Sequence, residues 1–207
     1  MPQPADHDVR FAALRKTVAT VAALNLGYFG VEAIVALAIG SVALFADSVD
    51  FLEDATVNLL VLVALGWSAA RRRAVGVILA ALLIMPGVAA AVTAAGKLMS
   101  AEPMVPEPML LTLTGMGALA VNALAASLLA RFRAHAGSLV RAAFLSARND
   151  VIANVAIIGA GLATAATASI WPDLIVGLGI LLLNLDAARE VYEAAMAEGD
   201  DDLAPRP

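Results

Sequence analysis

Apolar stretches long enough to cross a bilayer fall at about 17–39, 41–66, 75–96, 109–130, 142–166 and 170–188, each near the roughly 20 residues that a membrane-spanning helix needs. The pattern predicts an all-α membrane protein of six transmembrane helices. The polar segment 1–16 precedes the first helix, and it lacks both the charged-then-apolar order and the small-residue cleavage site of a signal peptide. It reads as a solvated, unstructured N-terminal segment, with His7 flanked by Asp6 and Asp8. Residues 17–188 form the transport-sized helical domain and 189–207 a short acidic tail. The connections are short: Gly40-Ser41 and Trp171-Pro172 read as tight turns, and 97–108 as a Pro-rich loop.

The cations orient the helices. Arg10, Arg15, Lys16, Arg71, Arg72, Arg73, Arg131, Arg133, Arg141, Arg189 and Arg206 all fall on one side of the predicted spans, Lys97 alone lies in an opposite loop, and Arg148 is inside helix 5. The positive-inside rule therefore places both termini in the cytoplasm. Each half of the chain holds an odd number of spans, so an inverted 3+3 arrangement is open. Asp54-Ala-Thr-Val-Asn58 and Asp150-Val-Ile-Ala-Asn154, in the middle helix of each half, are a faint trace of it.

Composition sharpens this picture. At 61% hydrophobic, 15% charged and mean hydropathy +0.87, the chain departs from soluble domains, which are about half apolar and a quarter charged. A secreted protein, a disordered chain and a nucleic-acid binder are excluded. With no cysteine, so are disulfides, thiolate metal sites and Cys-based catalysis.

Against this apolar background, a charge inside a span costs about 2.5–3.5 kcal/mol on insertion scales and marks function by default. Helix 2 carries Asp47, Asp50, Asp54 and Asn58 at i, i+3, i+7 and i+11, within a stripe about 80° wide at 100° per residue. Glu53 points away from that stripe. Carboxylates sharing one face repel unless a proton or a cation intervenes, and the intervening species is then the natural cargo. Asp47 is closest to the outer surface, and a hydrogen bond to a neighbouring helix is an equal reading for it. On helix 5, Ser146, Asp150 and Asn154 recur every four residues on one face, while Arg148 points elsewhere as a counter-charge, a snorkelling group or a partner for another acid. Asp50 and Asp54 lie about 14–20 Å below the outer end of helix 2 and Asp150 about 14 Å above the inner end of helix 5. The two sets meet near the midplane. Asn25 and Glu32 share a face of helix 1 and can line the same pathway; Asn122, Asp173 and Asn184 suit interhelical hydrogen bonds.

The run Asn25, Glu32, Gly40-Ser41 and then Val-Ala-Leu-Phe-Ala-Asp-Ser-Val-Asp-Phe-Leu-Glu-Asp resembles the cation diffusion facilitator (cation efflux) family of divalent metal transporters, and the Trp171-Pro172-Asp173 start of helix 6 is similar too. The resemblance places the family's helix-2 pair at Asp50 and Asp54, with Asp47 as the lead-in acid, and its helix-5 HxxxD motif at Ser146 and Asp150. Ser146 stands where the family has histidine. The implied ligands, Asp50, Asp54, Asp150 and Ser146, are oxygen donors, with Asp47, Asn58, Asn154, Glu32 and Asn25 as auxiliary or pathway residues. Zinc accepts carboxylates and is the first expectation on family grounds; cadmium, cobalt, manganese and iron stay open, since oxygen-only sets also suit harder ions.

The resemblance implies a multi-pass integral membrane protein, in the plasma (inner) membrane if bacterial, exporting the ion in exchange for protons. It also implies a short form without the cytoplasmic C-terminal domain, whose homodimer would form through the membrane helices. No prosthetic group is implied. No phosphate-binding GxxxxGK[ST] loop occurs, so an ion gradient is the expected energy source. The rivals are an intramembrane enzyme, for which neither HExxH nor GxSxG occurs, and a non-transporting scaffold, in which the aspartates would tolerate Asn.

Overall fold

A computed structural model describes residues 4–64, 88, 90–132 and 137–183. These residues form six helices: α1 (Pro4–Ile39), α2 (Val42–Ala64), α3 (Ala90–Met99), α4 (Pro108–Ala130), α5 (Gly137–Thr167) and α6 (Trp171–Leu183). The architecture is all-helical, as the hydropathy pattern predicts. By length and composition, α1, α4 and α5 are apolar enough to cross a membrane. The 23-residue α2 has the length as well, but it carries the four acids Asp47, Asp50, Glu53 and Asp54.

Two helices start earlier than their apolar stretches. The first begins at Pro4, so the segment expected to be unstructured is largely helical. Its sequence explains why: proline is preorganised for the first helical position, Asp6 and Asp8 sit near the positive end of the helix dipole, and Ala12 to Lys16 are good helix formers. Hydropathy reports where a helix can enter lipid, and backbone hydrogen bonding has no reason to stop there. The fifth helix likewise begins at Gly137, several residues before the predicted span. The acidic tail 189–207, Asn184 and the arginines at 71–73, 133, 189 and 206 lie outside the described residues.

The turn expected at Trp171-Pro172 is instead the first turn of α6, where a proline lacks no needed donor. The chain reverses at 168–170, with Ala168 in the left-handed region at φ 48° and the Ser169 hydroxyl accepting a bond from the Trp171 amide at 3.3 Å. Gly40, at φ 62°, turns α1 into α2 in a conformation that glycine adopts at little cost. The Glu107 carboxylate caps α4 by accepting from the Met109 and Leu110 amides.

Among α1, α2, α4 and α5 the most extensive contacts are α4 with α5 and α1 with α2, which are the first two helices of each half; α1 with α4 and α2 with α5 then join the halves. We call the end carrying the 40–41, 100–107 and 168–170 connections the upper end. Apolar clusters lie at both ends of the bundle. The upper one contains Ala36, Ile39, Leu44, Phe45, Leu111 and Ile157, and the lower one Val18, Val21, Ala125, Leu129 and Ala147. Large apolar side chains such as Ile34, Leu37, Leu113, Ile152 and Leu162 are exposed on the outside, as suits a surface solvated by lipid tails.

Close packing fixes α6 against the start of α2. A Cβ on Gly177 would lie 2.6 Å from the Ala43 amide nitrogen and the Val42 carbonyl carbon, both backbone atoms that cannot yield. Gly177→Ala is therefore expected to destabilise the fold by about 1–3 kcal/mol, the usual cost of overpacking. Thermal unfolding in detergent would show it; an unchanged midpoint would mean that α6 does not pack against the start of α2.

Candidate functional site

Between the two apolar clusters lies a polar layer built by four helices. Asn25, Tyr28 and Glu32 line one face of α1; Asp47, Asp50, Asp54 and Asn58 line α2; Asn122 comes from α4, and Asp150 and Asn154 from α5. Asn25, Glu32, Asp47, Asp54, Asn58, Asn122 and Asn154 are buried, and Asp50 and Asp150 are half-buried. Buried polar groups are stable only when hydrogen-bonded or paired. The bonding of this layer therefore separates structural roles from open ones.

Asp54 accepts a bond from the Asn25 amide at 3.3 Å, which ties α2 to α1. Asp47 accepts from the Asn154 amide at 2.6 Å, and the Asn154 carbonyl oxygen accepts from Asn122 at 3.0 Å. A chain of side chains thus runs α2–α5–α4. Of the two readings open for Asp47, the interhelical bond is present. Asn58 turns back on its own helix and donates to the Asp54 backbone carbonyl at 2.7 Å. The matched DxxxN pairs consequently do different work: Asn154 crosses to another helix and Asn58 does not.

Asp50, Asp54 and Asp150 come within electrostatic range across the α2–α5 contact. Asp150 lies near enough to Asp50 for their charges to interact, and it feels Asp54, Asp47 and also Glu53. Glu53, on a separate stripe by helical arithmetic, is half-buried and still contributes negative field, because Coulomb interactions reach further in low dielectric. Among the described residues, no three acidic or histidine side chains converge closely enough to hold an ion. Ser146 is on α5 one turn before Asp150, and its side chain lies outside the described part of the structure. Arg148 is exposed and makes a long 3.5 Å contact to Asn149, as expected of a group turned away from the face that carries Asp150 and Asn154.

Two further features belong to the polar framework: Tyr28, which no sequence pattern marks, and Asp173, which makes the interhelical hydrogen bonds expected of it. The Tyr28 hydroxyl donates to the Thr114 backbone carbonyl at 2.6 Å, its ring packs against Phe51 at a centroid distance of 5.0 Å, and it lies so close over Gly117 that a Cβ there would overlap it. At the upper end, Asp173 of α6 is a hub. It accepts bonds from the Ser41 hydroxyl (2.5 Å), the Val42 amide (3.0 Å), the Ala43 amide (3.1 Å) and the Lys97 ammonium (3.1 Å). It caps α2 from another helix and pairs with a buried lysine of α3. The sequence signals were Lys97, isolated from the other cations, and a lone aspartate opening an apolar run.

No curated protein matches the chain. The family profile for the cation efflux transmembrane domain matches residues 18–197, which includes every acid of the polar layer. The chain therefore belongs to the cation efflux family and is an integral membrane protein that transports metal cations.

Proposed function

We propose that the protein is a secondary transporter that exports a divalent cation, zinc first, from the cytoplasm in exchange for protons. Asp50, Asp54 and Asp150 bind the ion, with Ser146 as a further oxygen donor. The reading rests on one observation: acids from α2 and α5 share a polar layer with apolar clusters on either side. In low dielectric these carboxylates need a counter-charge, and either protons or a divalent cation can supply it. Competition between the two couples their fluxes as the helical halves rock between inward- and outward-open forms. Both termini face the cytoplasm in this scheme, and a homodimer forms through the membrane helices.

The test is uptake into proteoliposomes of zinc, cadmium, cobalt, manganese and iron at two internal pH values. Zinc uptake is expected to exceed that of manganese and to rise when the interior is the more acidic side, because inward metal movement is then driven by outward proton flow. Uptake indifferent to the pH gradient would refute proton exchange, and a preference for manganese would refute zinc.

A further inference from the structure

Glu32 and Asp47 are fully buried, and among the described residues both oxygens of Glu32 and Oδ1 of Asp47 have no hydrogen-bond partner. The two carboxyl groups lie within hydrogen-bonding reach of each other. Ionised carboxylates are acceptors only, so two facing anions would leave three buried oxygens unsatisfied. A single proton resolves the accounting: a carboxylic acid donates to a carboxylate, and two of the three orphaned oxygens are satisfied at once. The donors around the pair say which group carries it. Asp47 Oδ2 already accepts the Asn154 amide, which favours its ionised form, whereas Glu32 has no donor.

Among the described residues, the charged and titratable groups facing the pair are Tyr28 on the same helix as Glu32, Asp50 of α2 and Asp150 of α5; α4 has no ionisable residue. Among the described residues the buried cation is Lys97, which is paired with Asp173. The pair is therefore surrounded by negative charge, and a proton is the smallest cation that fits between two oxygens in contact.

We propose that Glu32 and Asp47 form a proton-binding site separate from the metal ligands, with the Glu32 carboxyl donating to Asp47 Oδ1. A divalent ion arriving at Asp50, Asp54 and Asp150 brings positive charge within electrostatic reach of the pair and favours breaking the Glu32 O–H bond, the proton leaving to water and both groups remaining as carboxylates. By linkage, the same coupling makes occupancy of the pair weaken metal binding. This second half rests on the metal-site reading above; the resident proton does not.

The experiment uses the full chain in detergent. Infrared spectra of the wild type near neutral pH should contain the carbonyl band of a buried protonated carboxylic acid, shifted by deuterium exchange and diminished on adding zinc chloride. In Glu32→Gln, whose amide can donate as the acid does, the band should lose the Glu32 contribution while that of any protonated acid at the metal site stays, zinc should still bind by calorimetry, and a pH indicator should register one proton fewer released per ion. Glu32→Asp should restore that contribution and the release. A wild type without the band, a Glu32→Gln protein releasing as many protons as the wild type, or one that no longer binds zinc while folded would each overturn the proposal. If Glu32→Gln does not fold, the wild-type and Glu32→Asp spectra decide it. Asp54→Asn separates the two readings: retained zinc binding there would sink the metal site and leave the infrared assignment of Glu32 standing.

Discussion

Asp54→Asn and Asp150→Ala should each reduce zinc transport in proteoliposomes by more than about a hundredfold. Changing a group that only supports a metal ligand typically costs 10–100-fold in affinity or activity, and loss of a ligand carboxylate must exceed that. Asp54 and Asp150 come from different helices and are within electrostatic range of one another, so deleting either leaves the other set without its complement. The neighbouring amides provide the scale. Asn25, which donates to Asp54 at 3.3 Å, should behave as a supporting group, and Asn25→Ala should cost about tenfold. Among the described residues Asn58 donates only to its own helix backbone, and Asn58→Ala should transport nearly as the wild type does. If Asp150→Ala transported normally, the α5 half of the site would be wrong; if Asn58→Ala were as damaging as Asp54→Asn, the pathway would continue below Asp54.

The second large effect concerns stability. Asp173→Ala removes the acceptor of four hydrogen bonds and leaves Lys97 buried without its counter-charge. Breaking a buried ion pair from one side costs about 3–5 kcal/mol, and the first turn of α2 loses its cap in addition. Lys97→Met should be milder, because Asp173 keeps its three other donors and a methionine fills the lysine's space without a charge. Adding Lys97→Met to Asp173→Ala should recover part of the loss, since the stranded ammonium disappears while the uncapped helix end remains. Thermal unfolding in detergent ranks the three variants. Equal midpoints for Asp173→Ala and Lys97→Met would show that the ion pair, and not the cap, carries the contribution of Asp173.

These two sets of residues differ in how far the sequence exposed them. Carboxylates at i, i+3 and i+7 in an apolar helix are visible on paper, since their cost in lipid is high and their face follows from the helical repeat. Helix ends were less visible. Hydropathy tracks the bilayer and not the hydrogen-bonded backbone, so α1 and α5 begin before their apolar stretches, and Pro172 enters a helix instead of preceding it. The partners of the polar residues were invisible: Asn58 and Asn154 are the same residue type at the same spacing from an aspartate, yet one bonds its own backbone and the other reaches Asp47.

The sequence by itself determined that this chain is a bundle of apolar helices with acids in its middle, because burial in lipid and the 3.6-residue repeat act on each segment separately. It also carried the resemblance that led to the cation efflux family. The tertiary structure decided which of those acids have donors and which do not. That depends on which helices touch and at what register, as in Asp47 with Asn154, Asp54 with Asn25, and Asp173 with the start of α2 and Lys97. Hydrogen bonds act over about 3 Å, and residues 107 or 131 positions apart reach that distance only when the fold brings them together.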